Sequence, residues 1–93
     1  MSLIIYMMMF TGYSMMPTLE PGIHNVTIAD NIETGNVYCY NYDHRNFPNI
    51  NTRYVCHRLI AIGDDYCFFK GDNNIESDWP IKCNNIGLEV LEI

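Results

Sequence analysis

Residues 53–70 constrain the fold more than any other part of this 93-residue chain. Residues 53–62 read RYVCHRLIAI, in which Tyr54, Cys56, Arg58, Ile60 and Ile62 alternate with Val55, His57, Leu59 and Ala61. Successive side chains of a strand point to opposite faces, so this two-residue period predicts a β-strand. Gly63-Asp64-Asp65 supplies turn residues, and Tyr66–Lys70 is again rich in β-formers. A strand, a short turn and a second strand make a hairpin. No stretch sustains a 3.6-residue apolar repeat, which leaves room for little helix.

The rest of the chain follows the same pattern of short β-like segments cut by Gly, Pro, Asn and Asp. Residues 3–10 predict a buried strand, residues 26–29 a short one, residues 37–42 another after the Gly35-Asn36 turn, and residues 87–93 a last one. Residues 16–19 can form one helical turn. Residues 20–22 read as a turn, residues 43–51 as an exposed loop and residues 71–80 as a polar loop. One domain spans residues 1–93, because a chain this short buries only about 60–65% of its unfolded surface. The expected class is mainly β.

Composition narrows the function classes. The net charge is −6 with only five Lys and Arg, and phosphate binding needs a basic stripe, so nucleic acid is not an expected partner. Cys39, Cys56, Cys67 and Cys83 contain no CxxC pair, which removes the sequence basis for a zinc or thioredoxin-like site. Cys39, Cys56 and Cys67 lie in apolar runs and read as buried free thiols of a reducing compartment, with disulfides as the alternative. The opening run MSLIIYMMMF stops at Thr11-Gly12, short of the roughly 20 residues a spanning helix needs. It also lacks the basic flank of a signal peptide. The alternative to a buried strand here is a surface that dips into a membrane.

Three places carry residues suited to chemistry. Ser14 lies in TGYSMMPTLEPG, between a Gly and a Pro that fix the backbone around one hydroxyl. Such a turn can present Oγ and aim neighbouring N–H groups at a developing oxyanion, but a serine hydroxyl needs a base to take its proton. His57, in the apolar 53–62 strand, is the candidate base, since an imidazole accepts a proton at neutral pH. Asp72 and Asp78 lie in GDNNIESD, and either can orient the imidazole and stabilise its charged form. The same run lacks the ligand alternation and closing Glu of a calcium loop. No cofactor or metal is expected. His24 and His44 read as solvated. Met7, Met8, Met9, Met15 and Met16 form an adaptable apolar cluster, either core or groove floor. Trp79 either covers the site or packs. Asn25-Val26-Thr27 is a formal glycosylation sequon, meaningful only in an exported domain.

In order along the chain, GYSMMPTLEPG, GNVYCY, VCHRLIAIGDDYCFFKGDNNIESD and IGLEV resemble the successive sequence boxes of signal peptidase I, from Gly12 to Val90. That family has a Ser-Met-x-Pro turn, a Gly-Asp-Val strand, a Lys-Arg or His-Arg strand, and a Gly-Asp-Asn loop with a second Asp. Bacterial members and the self-cleaving SOS-repressor relatives use a Ser-Lys dyad. Histidine at position 57 resembles instead the archaeal and endoplasmic-reticulum type, which pairs Ser with His and Asp.

The resemblance implies a complex of small antiparallel sheets with at most a short helix after the nucleophile. It also implies a serine endopeptidase that cuts an extended leader or signal-type peptide after a small side chain. Ser14 is then the nucleophile, His57 the general base, Asp78 its orienting acid and Asp72 a support of the loop. Tyr13, Ser14 and Met15 border the oxyanion and substrate. The implied partner is a peptide or preprotein, with membrane-surface association through the apolar N-terminal segment. The domain is membrane-associated if an anchor precedes it and cytoplasmic otherwise.

Three departures stand out. Gly22-Ile23-His24 replaces the usual Gly-Asp, and Gly12 stands where many relatives carry a Ser that helps the oxyanion. Only residues 3–10 stand where membrane-bound relatives have a spanning helix. These departures motivate two alternatives: a non-catalytic binding or regulatory domain on the same fold, and a soluble maturation or self-cleaving peptidase of the same superfamily.

Overall fold

A computed structural model describes residues 4–41 and 54–92. These residues form one curled antiparallel sheet of seven strands. The strands are β1 (Tyr6–Phe10), β2 (Gly22–Ile28), β3 (Val37–Asn41), β4 (Tyr54–Ile62), β5 (Tyr66–Lys70), β6 (Ile81–Lys82) and β7 (Ile86–Val90). Their order across the sheet is β1-β2-β7-β3-β4-β5-β6. The mainly β class is as expected, but one continuous sheet replaces several small ones. Its only helical piece among the described residues is a 3-10 turn at Cys83–Asn85.

The hairpin that the alternation predicts is present. β4 and β5 pair from Arg58↔Lys70 to Ile62↔Cys67, and Gly63 N–H closes the turn on Tyr66 O at 2.8 Å. A bulge between Leu59 and Ala61 breaks the alternation, so Ile60, Ala61 and Ile62 all lie exposed. β2 begins at Gly22, earlier than expected, because β1 pairs with it along its whole length, from Tyr6↔Val26 to Phe10↔Gly22.

The expected buried strand at residues 3–10 is corrected. β1 is an edge strand with one covered face, and Met7 and Met9 are 75% and 61% exposed. An edge strand has a partner on one side only, so its apolar residues divide between core and solvent. Residue 3, the loop predicted at 43–51 with His44, and the ends of the predicted strands at 42, 53 and 93 lie outside the described residues.

β3 is buried throughout Val37–Tyr40 because both faces of the sheet are covered there. Tyr38 and Tyr40 join Leu59, Cys67, Phe69 and Ile81 in one cluster. Val37 and Cys39 join Met15, Val26 and Val90 in the other. Burying one large apolar side chain such as Leu59 or Phe69 contributes about 1.5–3 kcal/mol.

The expectation of free thiols is also corrected. Cys39 bonds to Cys56 and Cys67 to Cys83. Cys39 and Cys56 are direct partners across β3 and β4, and the Cα atoms of Cys67 and Cys83 are 5.1 Å apart. The pairing depends on strand register, which residue spacing alone does not supply. With it the basis for a reducing compartment is gone.

Candidate active site

Ser14 sits on the connection from β1 to β2. Gly12 leaves β1 with φ of 87°, a left-handed conformation that glycine adopts without a Cβ clash. Met16 N–H then bonds to Tyr13 O at 3.1 Å and Leu19 N–H to Met15 O at 2.9 Å. The predicted helical turn at residues 16–19 is therefore a single hydrogen-bonded turn. Pro17 has no N–H with which to carry a helix on.

The 71–80 loop locks this turn from outside. Asn73 N–H donates to Ser14 O at 2.8 Å, and Asn73 Nδ2 donates to Tyr13 O at 3.1 Å. Gly71 is buried at the crossing, where a Cβ would meet Ser14 O at 2.7 Å. Only glycine allows the two backbones so close.

His57 comes from β4 and is 8% exposed. Its Nε2 lies 2.9 Å from Ser14 Oγ, and its Nδ1 lies 2.6 Å from Asp78 Oδ2. A carboxylate oxygen only accepts, so Nδ1 carries the hydrogen. Nε2 then offers its lone pair to the Ser14 hydroxyl. Asp78 reaches this position from the loop after β5, where its own N–H bonds to Phe69 O at 2.8 Å. Ser14, His57 and Asp78 are thus one hydrogen-bonded chain, drawn from three separated parts of the sequence.

Asp72 lies apart from that chain. It takes two hydrogen bonds from Arg58, at 2.9 and 2.8 Å, and its N–H faces Met15 Sδ at 3.4 Å. The Arg58 guanidinium holds the Asp72 carboxyl below the usual carboxylate range, with burial opposing and Thr18 assisting. Asp72 in turn raises the Arg58 pKa further above its ordinary value. Arg58 also reaches Glu92 at 3.1 Å and Gly35 O at 2.6 Å. The network joins β4, the loop and the end of β7.

Met15 is buried beneath the Ser14 turn, whereas Tyr13 is 68% exposed beside it. Trp79 is 81% exposed, so little of it packs, and it is not among the residues that line the cleft. His24 is half-buried rather than solvated. Its ring lies 4.6 Å from Phe10 and its Nε2 donates to Glu20 O. Two further contributors, Asn73 and Tyr40, carry little signal in the sequence. Asn73 was signalled only as part of a turn-forming run. Tyr40, whose hydroxyl donates to Asp78 Oδ2 at 2.7 Å, carried no signal within a β-rich segment.

An open cleft of about 610 Å³ leads to Ser14. One wall is Met8, Met9, Phe10, Thr11 and Gly12, and the other is Tyr54, Val55, Cys56 and His57. The methionine cluster therefore divides: Met8, Met9 and Met15 line the cleft, and Met15 also belongs to the core. Both walls end in strand edges. β1 is terminal in the sheet, and β5 pairs with β4 only from Arg58 onward. Among the described residues, no strand occupies the second edge of Tyr54–His57. No protein-family model, curated protein or solved structure matches this chain.

Proposed function

We propose that the chain is a serine endopeptidase of the signal peptidase I kind, acting through Ser14, His57 and Asp78 on an extended leader-type peptide. The observation that carries this reading is the unbroken hydrogen-bonded chain from Ser14 Oγ through both ring nitrogens of His57 to Asp78. A catalytic Ser and its base must lie within hydrogen-bond reach, and 2.9 Å meets that demand without side-chain movement. A binding domain on the same fold has no need of the alignment.

Attack proceeds as the geometry directs. Ser14 Oγ adds to the scissile carbonyl while its proton passes to His57 Nε2. Asp78 holds Nδ1–H and stabilises the imidazolium. The carbonyl oxygen gains charge near the Ser14 turn, where backbone N–H groups can stabilise it. Collapse expels the amine, which takes the proton from Nε2. Water then cleaves the acyl-enzyme by the same steps.

An extended peptide fits the cleft because strand edges flank it and main-chain hydrogen bonds can align the substrate. Met8, Met9, Phe10 and Val55 give the cleft apolar side chains that can receive apolar leader residues beside its polar groups. The preference for a small residue before the cut rests on the resemblance to signal peptidase I.

The test is cleavage of a fluorogenic peptide with an apolar run followed by small residues. Ser14→Ala and His57→Ala are expected to lower kcat/KM by roughly 10⁴-fold or more, and Asp78→Asn by up to about 10⁴-fold. Undiminished cleavage by Ser14→Ala would remove the serine from the mechanism.

A further inference from the structure

The hydrogen-bonded chain does not end at Asp78. Tyr40 lies on β3, is 2% exposed, and sends its hydroxyl to the same Oδ2 that accepts from His57. We propose that Tyr40 is a positioning residue of this site, one that fixes the Asp78 carboxylate and tempers its charge toward His57; this rests on the peptidase reading above.

Placement supports the role. In the β3–β4 ladder Tyr38 faces His57 and Tyr40 faces Val55, so Tyr40 shares a face of the pair with His57. Its ring packs on Phe69 with centroids 4.6 Å apart, and Phe69 O is the group that anchors Asp78 N–H. One β5 residue thus fixes both the tyrosine ring and the aspartate backbone. Asp78 itself stands on a loop outside any strand or helix. Its backbone bond leaves the carboxylate free to turn, and a second donor from a buried strand stops that rotation.

The hydroxyl also has an electrostatic effect. A donor on Oδ2 draws negative charge from it, so Asp78 holds the imidazolium less tightly than a bare carboxylate would. Among the described residues, Tyr54 lines the cleft beside His57, and the following groups have other partners. Tyr38 accepts at its hydroxyl from Glu33 N–H and Asn36, Arg58 binds Asp72 and Glu92, and Lys70 reaches Gly71 O.

Tyr40→Phe keeps the ring and its packing and removes only the hydroxyl. With the fluorogenic leader-type peptide, kcat is expected to fall about 3- to 10-fold with KM nearly unchanged. The acid limb of the pH–rate profile is expected to move up by roughly half a unit. An acid limb that stays in place overturns the proposal, even if stability falls. A second measurement needs no turnover: the low-field Nδ1–H proton resonance of His57, compared between Ser14→Ala and Ser14→Ala/Tyr40→Phe. A moved resonance is expected, and an unmoved one overturns the link from Tyr40 to His57. If Ser14→Ala cleaves as well as the unsubstituted chain, the peptidase reading fails while this comparison still decides the role of Tyr40.

Discussion

Asp72 and Asp78 leave the same loop six residues apart and meet different partners. Asp78 faces an imidazole and a phenol, and Asp72 a guanidinium. A planar guanidinium grips both carboxylate oxygens at once, which suits Asp72 to bracing the loop against β4. The depressed Asp72 pKa fixes the sign of a pH effect. The ionised form is favoured by folding, so its contribution is present above the ordinary carboxylate pKa, near about 4, and fades as pH falls through the lower folded value. Asp72→Asn is expected to destabilise by roughly 1–2 kcal/mol at pH 7, with the gap closing in strongly acid solution. Thermal melts of both proteins at pH 7 and at successively lower pH would check this, and a gap independent of pH would count against it.

At the scale of elements, the strands carry the disulfides and the disulfides sit differently with respect to the cleft. Their sequence separations are 17 and 16, so each closes a loop for which chain entropy predicts about 3 kcal/mol. Cys67→Ser/Cys83→Ser is expected to lower stability by about that amount and leave cleavage near normal, since neither residue lines the cleft. Cys39→Ala/Cys56→Ala should lose similar stability and also lower cleavage, because Cys56 lines the cleft and precedes His57 on β4. Denaturant unfolding beside the peptide assay separates the two effects.

Much of this scale was legible beforehand. Alternation gave β4, and Gly63-Asp64-Asp65 gave its turn, because both are local signals. Ser14, His57 and Asp78 could be singled out because Ser-Met-x-Pro, His-Arg and Gly-Asp-Asn keep their order along the chain. The exposed side of β1, the cystine pairing and the Tyr40 hydroxyl were not legible. Each depends on which strand lies beside which, and an apolar or β-rich run reads the same at an edge as at the centre.

For the molecule as a whole, the decisive feature is the place of β7. Of the seven strands it is the last in chain order, yet it lies third in the sheet, between β2 and β3. To one side stand β1 and β2, with the Ser14 turn between them; to the other stand the strands that carry His57 and lead to Asp78. Among the described residues the backbone ladder joins the two sides through β7 alone. A chain stopped after Asn85 is therefore expected to leave the leader-type peptide uncut, and cleavage by it would show that the halves find each other without the joining strand. Ser14 and His57 both precede in the chain the strand that ties their two sides of the sheet together. On the proposed peptidase reading, cleaving capacity is expected to arise only once Ile86–Val90 has emerged and filled the gap between β2 and β3.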